Sequence, residues 1–163
     1  MQRYAARGRG FTLIEFLVVA VVVAALGAIA LPRFQPAETT VNIEADHLAR
    51  DLRHMQMLAM TWGVTLRFTP AGGSYSVSCA SGSATPPCNG ASAVVDPATG
   101  SSFVVALQNN VTVAGSALDM DGLGRPVAGG ALLNADTSYT LTGGSKTASV
   151  TVQRLTGFLT MVY

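Results

Sequence analysis

Three groups of residues in this chain have types and spacings that could do chemistry. Glu15 is a lone carboxylate inside an apolar run, Phe11 to Leu31. His47, Asp51 and His54 stand at i, i+4 and i+7, which on a helix puts them on one face, where they could hold a metal ion. Cys79 and Cys88 are the chain's two cysteines.

Each group also has a plainer reading. The histidine face has no evident fourth ligand, and its neighbours Arg50 and Arg53 are cationic, so it reads as a solvated helix face with no metal. Eight residues separate the cysteines, which fits neither a C-x-x-C redox motif nor usual zinc spacing. Outside the cytoplasm they are expected to pair as a structural disulfide. Closing a loop of about ten residues would contribute about 2.5–3 kcal/mol in the chain-entropy picture. "DMDGLGRP", Asp119 to Pro126, lacks the acidic spacing and closing glutamate of an EF-hand and reads as a turn between strands. No G-x-S-x-G elbow, P-loop or H-E-x-x-H motif is present. The chain is therefore not read as an enzyme, and no cofactor is expected.

The elements that must position these residues begin with the apolar run. Its 21 residues would make a helix of roughly 31 Å, against a hydrocarbon core of about 30 Å. Arg3, Arg7 and Arg9 precede it with no acid among them, which predicts a cytoplasmic N-terminus and an extracytoplasmic remainder. A cleaved secretory signal is the competing reading. It fits poorly, because the run is longer than a usual signal core and the exit "ALPRFQPAE" is no small-x-small site. Glu15 is the difficulty, since a carboxylate near mid-bilayer costs about 2.5–3.5 kcal/mol on insertion scales. A cut between Gly10 and Phe11 would resolve it. The new α-amino group of Phe11 would lie one helical turn from Glu15 and could neutralise it, within one chain or between neighbours.

The segment "GRGFTLIEFLVV" resembles the prepilin leader of the type IV pilin and type II secretion pseudopilin superfamily. The matching positions are Gly10, Phe11, Thr12, Leu13, Ile14 and Glu15, with a helix break at Pro32 in "ALPRF". The resemblance implies that a prepilin peptidase cuts after Gly10 on the cytoplasmic side and methylates the Phe11 amine. It implies that the hydrophobic helix stays on the mature protein and packs with other pilin or pseudopilin subunits in a filament. It also implies an α+β pilin-like fold, with a long N-terminal helix, half transmembrane and half amphipathic, packed on an antiparallel β-sheet domain.

Three segments follow: a leader over 1–10, a transmembrane assembly helix over 11–35, and an extracytoplasmic domain over 36–163. In the last, Val41, Ala45, Leu48, Leu52, Met55, Ala59 and Trp62 step by four and three, predicting an amphipathic helix over 37–62 stopped by Gly63. Met55, Met57 and Met60 read as core and boundary filler. Residues 64–163 read as β: "VTLRFT", "YSVSC", "SFVVAL", "VTV", "SYTLT", "ASVTVQ" and "FLTMV" are strand candidates, and residues 79–102 an irregular loop. "DMDGLGRP" and "VTVQRLTGFLTMVY" resemble, less specifically, GspH/FimT-like pseudopilins and MSHA-type minor pilins.

The expected function is structural: a minor pilin or pseudopilin, single-pass in a bacterial inner membrane with a periplasmic domain, that primes or decorates a filament. The second reading is a displayed binder of DNA or a surface. From Ala37 onward there are six Lys/Arg against eight Asp/Glu, and Arg125, Lys146 and Arg154 are scattered in sequence. That balance argues against nucleic acid.

Overall fold

The computed structural model describes residues 12–30, 36–80, 86–97 and 99–163. Gly10, Phe11 and Pro32, the expected cut and helix break, lie outside the described residues. The chain divides after Gln35 into two compact units.

The first unit holds α1, Leu13–Ala30, an 18-residue helix. Among the described residues no helix is long and apolar enough to cross a membrane. At 18 residues α1 measures about 27 Å, and Phe11 and Leu31, the two ends of the expected span, are not among the described residues.

The second unit is built on α2, Pro36–Trp62. Proline suits a first helical position, where its missing N–H has no partner to lose. Gly63 adopts φ +65°, the left-handed conformation that ends helices, and the Val64 N–H closes the end on the Ala59 carbonyl at 3.2 Å. The predicted stripe is the buried face: Val41, Ala45, Leu48, Leu52, Met55 and Ala59 are all 0% exposed. Of the three methionines expected as filler, only Met55 is in the core. Met57 and Met60 are exposed on the opposite face.

Among the described residues ten strands follow, all pairs antiparallel as expected, arranged in two sheets. The strands are β1 Leu66–Pro70, β2 Ser74–Cys79, β3 Val104–Ala106, β4 Thr112–Ala114, β5 Leu118–Met120, β6 Pro126–Ala128, β7 Ala131–Leu132, β8 Thr137–Gly143, β9 Lys146–Val152 and β10 Leu159–Val162. One sheet has the order β3-β2-β1-β5-β6-β7 and the other β10-β9-β8-β4. Alternation on β8 and β9 turns Tyr139, Leu141, Ala148, Val150 and Val152 inward and leaves Ser138, Thr140 and Thr142 exposed. The helix packs on both sheets, mainly against β8 and β9. The sheets meet where Phe68 of the first lies edge-on to Tyr139 of the second, centroids 4.9 Å apart, with Tyr75 on its other side at 5.5 Å. The Val113 N–H also crosses to the Gly72 carbonyl at 2.8 Å. On β1 and β5, paired Arg67 and Asp119 form a two-pronged ion pair at 2.7 and 2.8 Å. That pair satisfies the buried Asp119 carboxylate.

The Tyr139 side chain is fully buried, and its hydroxyl has no protein partner among the described residues. An unpaired buried hydroxyl contributes no stability. Tyr139→Phe is therefore expected to leave urea stability unchanged or raise it by up to about 1 kcal/mol. Leu52→Ala, in the dry stripe, is expected to cost about 2–5 kcal/mol. A comparable loss in both variants would show that the hydroxyl is bonded.

Candidate assembly helix and the second unit

The start of α1 is written in four residues. The Thr12 carbonyl accepts the N–H groups of Glu15 and Phe16 at 3.1 and 3.2 Å, and its Oγ1 accepts the Glu15 N–H at 3.4 Å. Thr12 is the N-cap and Glu15 the third helical residue, the T-x-x-E arrangement of a capping box. A carboxylate in a first turn also faces the positive end of the helix dipole. This gives Glu15 a local reason for its place, which the sequence reading missed because "TLIE" was taken whole as part of a processing motif. Beyond it the helix shows no sidedness. Every described side chain from 12 to 26 is exposed, from Leu13 at 84% to Val19 at 50%. A helix apolar on all sides requires lipid or other helices around it.

On α2 the expected solvated histidine face is instead a half-buried seam against β2 and the segment after β3. Glu44 is buried, and its Oε1 accepts the Gln108 N–H at 3.3 Å. One turn earlier, Asn109 Nδ2 donates to Thr40 Oγ1 at 2.8 Å. The Tyr75 hydroxyl donates to Asp51 Oδ2 at 2.7 Å, and burial, followed by this bond, pushes the phenol well above its ordinary range. The His54 ring tilts against Phe103 with centroids 5.8 Å apart. The sequence hid this because the partners of Asp51 and His54 lie 24 and 49 positions away. Among the described residues, no group of three His, Cys, Asp or Glu is placed to hold a metal.

Cys79 and Cys88 are bonded, both buried, with Cα atoms 5.7 Å apart. The segment between β2 and β3 is less irregular than expected. Its later part lies along β2, with the Cys79 N–H on the Ser92 carbonyl at 2.8 Å and the Val94 N–H on the Val77 carbonyl at 3.4 Å. Val94, within this part, is buried. A cavity of about 160 Å³ beside the disulfide is lined by Trp62, Pro87, Ala93 and Val95 among others.

The stretch 121–125 is the turn the sequence predicted between strands, and its own carboxylate closes it. Asp121 Oδ1 accepts the N–H groups of Leu123 and Arg125 at 3.0 and 2.8 Å. Oδ2 accepts Nε and Nη2 of Arg125 at 3.0 and 2.8 Å. Burial pushes the Asp121 carboxyl up, but the Arg125 side chain and the two backbone N–H groups together hold it below its ordinary value.

Residues 6–31 match the family model of the prokaryotic N-terminal methylation motif. No curated protein matches the chain. Among solved structures, the type IV minor pilin FimU of Pseudomonas aeruginosa strain PAO1 superposes with TM-score 0.54 at 9% identity, over 76% of this chain and 88% of that one. The minor pseudopilin EpsH from the type 2 secretion system of Vibrio cholerae gives TM-score 0.55 at 11% identity, over 76% of this chain and 96% of that one. The chain has the pilin-like fold, α+β, with a helix packed on antiparallel sheets.

Two outcomes follow from this geometry. Replacing both cysteines (Cys79→Ser with Cys88→Ser) opens a local loop and is expected to lower stability by about 2–3 kcal/mol, with the far-ultraviolet circular dichroism spectrum kept. A spectrum that collapses would show the core depends on the bond. Asp121 has a folded value below its unfolded one, so its contribution is present above the unfolded value and is lost as pH falls through the folded one. The stability gap between wild type and Asp121→Asn should be constant from pH 7 to about 5 and shrink as the pH drops below about 4. A gap that widens with acid would contradict the assignment.

Proposed function

We propose that this chain is a minor pilin or pseudopilin, a structural subunit of a type IV pilus or a type II secretion pseudopilus that primes or decorates the filament. The observation that carries the reading is α1: apolar on every side, with one carboxylate in a capped first turn, joined to a separately folded domain. Such a helix has no use in water, whereas it can rest in a bilayer and then exchange lipid for like helices. The methylation motif over 6–31 supports the same reading.

In this account the full apolar run, Phe11 to Leu31, crosses the inner membrane with the basic leader in the cytoplasm. A prepilin peptidase cuts after Gly10, where glycine leaves the scissile carbonyl unobstructed, and methylates the Phe11 amine. The helix breaks at Pro32, which lacks a backbone donor, and the β domain is displayed in the periplasm. Glu15 pairs with the Phe11 amine of a neighbouring subunit during assembly. Each charge alone in apolar surroundings is costly, and the pair offsets much of that cost while setting the helix register. The role is structural rather than enzymatic. A DNA-binding display gains little support, because Arg67 and Arg125 are each tied to an aspartate.

Intact mass of the assembled protein should begin at Phe11 with one added methyl, and Gly10→Val should leave uncut precursor in the membrane. Glu15→Leu should still insert and be cut. Its incorporation into filaments should fall roughly tenfold or more, as expected when an unpaired charge costs about 2.5–3.5 kcal/mol. Assembled material that retains Met1 would defeat the whole reading, and equal incorporation of Glu15→Leu would defeat the pairing.

A further inference from the structure

Two turns of the displayed domain carry leucines where turns ordinarily carry polar residues. Leu123, between β5 and β6, is 68% exposed, and Leu155, between β9 and β10, is 56% exposed. The turns are 32 positions apart in sequence but adjoin in space. Gln56 of α2 donates its amide Nε2 to the Gly124 carbonyl at 2.7 Å and to the Thr156 carbonyl at 3.0 Å. A Cβ at Gly157 would come within 2.8 Å of the Gly124 oxygen and 2.5 Å of Gln56 Nε2, so the three segments are in close contact. At Gly124 a Cβ would meet Met60 Sδ at 2.8 Å, which brings the exposed Met60 alongside the first turn, with exposed Met57 one residue past Gln56. The apolar tips thus stand on a braced platform at the end of α2 remote from Pro36.

The charge around the platform is net positive, three arginines (Arg53, Arg125 and Arg154) against two aspartates (Asp121 and Asp136). Arg53 precedes Met57 by four positions on α2, and Arg154 adjoins Leu155. Neither forms an ion pair among the described residues. The Arg154 guanidinium is held by the Asn134 carbonyl at 2.9 Å, while Asp136 takes only the Arg154 backbone N–H. Arg125 is neutralised inside its own turn by Asp121. No acid lies on α2 beyond Asp51, nor between residues 153 and 158. An exposed apolar cluster with a net positive rim fits a surface that is apolar and acidic.

We infer that this platform docks an acidic amphipathic segment of a different subunit in the same assembly, an inference that rests on the filament role proposed above. A second copy of this chain is a poor match. Among the described residues of the second unit, Asp46, Asp96 and Asp136 sit on separate elements, and Asp46 already accepts the Tyr163 hydroxyl. The leucines supply the desolvated centre of the contact, and Arg53 and Arg154 select the partner by charge.

The test uses the full chain in cells that make the other filament subunits. A photo-reactive benzophenone amino acid replaces Leu123, Leu155 or, as a control, exposed Thr142 on the outer face of β8. Positions 123 and 155 should cross-link to one and the same other subunit, at a peptide rich in Asp or Glu, and position 142 should not. Arg53→Glu with Arg154→Glu should cut that yield by about fivefold or more, and reversing the mapped partner carboxylate to arginine should restore it. Products with lipid, products only with copies of this chain, yields no higher than at position 142, or yields indifferent to the charge reversal would each overturn the assignment. The mature N-terminus and the assembled fraction are measured in the same cells. A chain that is cut and incorporated without these cross-links refutes the docking surface alone. A chain neither cut nor incorporated refutes the filament role, and the docking surface with it.

Discussion

The apolar stripe of α2 is the constraint from which the second unit follows. Val41, Ala45, Leu48, Leu52, Met55 and Ala59 have no exposed surface at all, and each Val, Leu or Met so buried contributes about 1.5–3 kcal/mol relative to exposure. The strands could not stand without it. Four of the ten are three residues long and one is two, too short to form independent sheets. Laying both sheets on one helix lets short strands share a single dry core, with Phe68 and Tyr139 closing the space between them. The charged groups that this arrangement brings inward are each answered: Asp119 by Arg67, Glu44 by a backbone N–H.

The first helix obeys the opposite rule. Where α2 is sided, α1 is uniform, and uniformity leaves it no preferred face for a sheet to cover. Its only directional features are at its start, the Thr12 cap and the first-turn carboxylate. In the filament role proposed above, a helix with no preferred face can exchange lipid for like helices.

Much of this was legible in the residues. The four-and-three stepping from Val41 to Trp62 named the buried face, because a helix core face leaves a strict period. The long alternating runs around Tyr139 and Val150 named β8 and β9 for the same reason. What stayed hidden was short or remote. Strands β5, β6 and β7 span two or three residues and include Pro126, so no alternation could develop. The division into two sheets depends on pairings such as Arg67 with Asp119, 52 positions apart. Met57 and Met60 looked like core or boundary filler because residue type says nothing about which side of the helix is covered. The half-buried face of His47, Asp51 and His54 looked solvated because the partners of Asp51 and His54, Tyr75 and Phe103, come from elements whose placement on α2 has no local signature. The cap at Thr12 was legible and was overlooked, since T-x-x-E before an apolar run is itself a helix-start signal.

Gln56 grips both turns by their carbonyl oxygens and by no side chain. Main-chain oxygen is the same in every amino acid. The brace is therefore indifferent to what occupies positions 123 and 155, and strict only about the glycines at 124 and 157 that let it close. Architecture and vocabulary are separated within a few residues: the frame rests on Gln56, Gly124 and Gly157, while the two tips can be rewritten one at a time. A lineage could change what this end of the domain recognises by single substitutions, with no compensating change in the core.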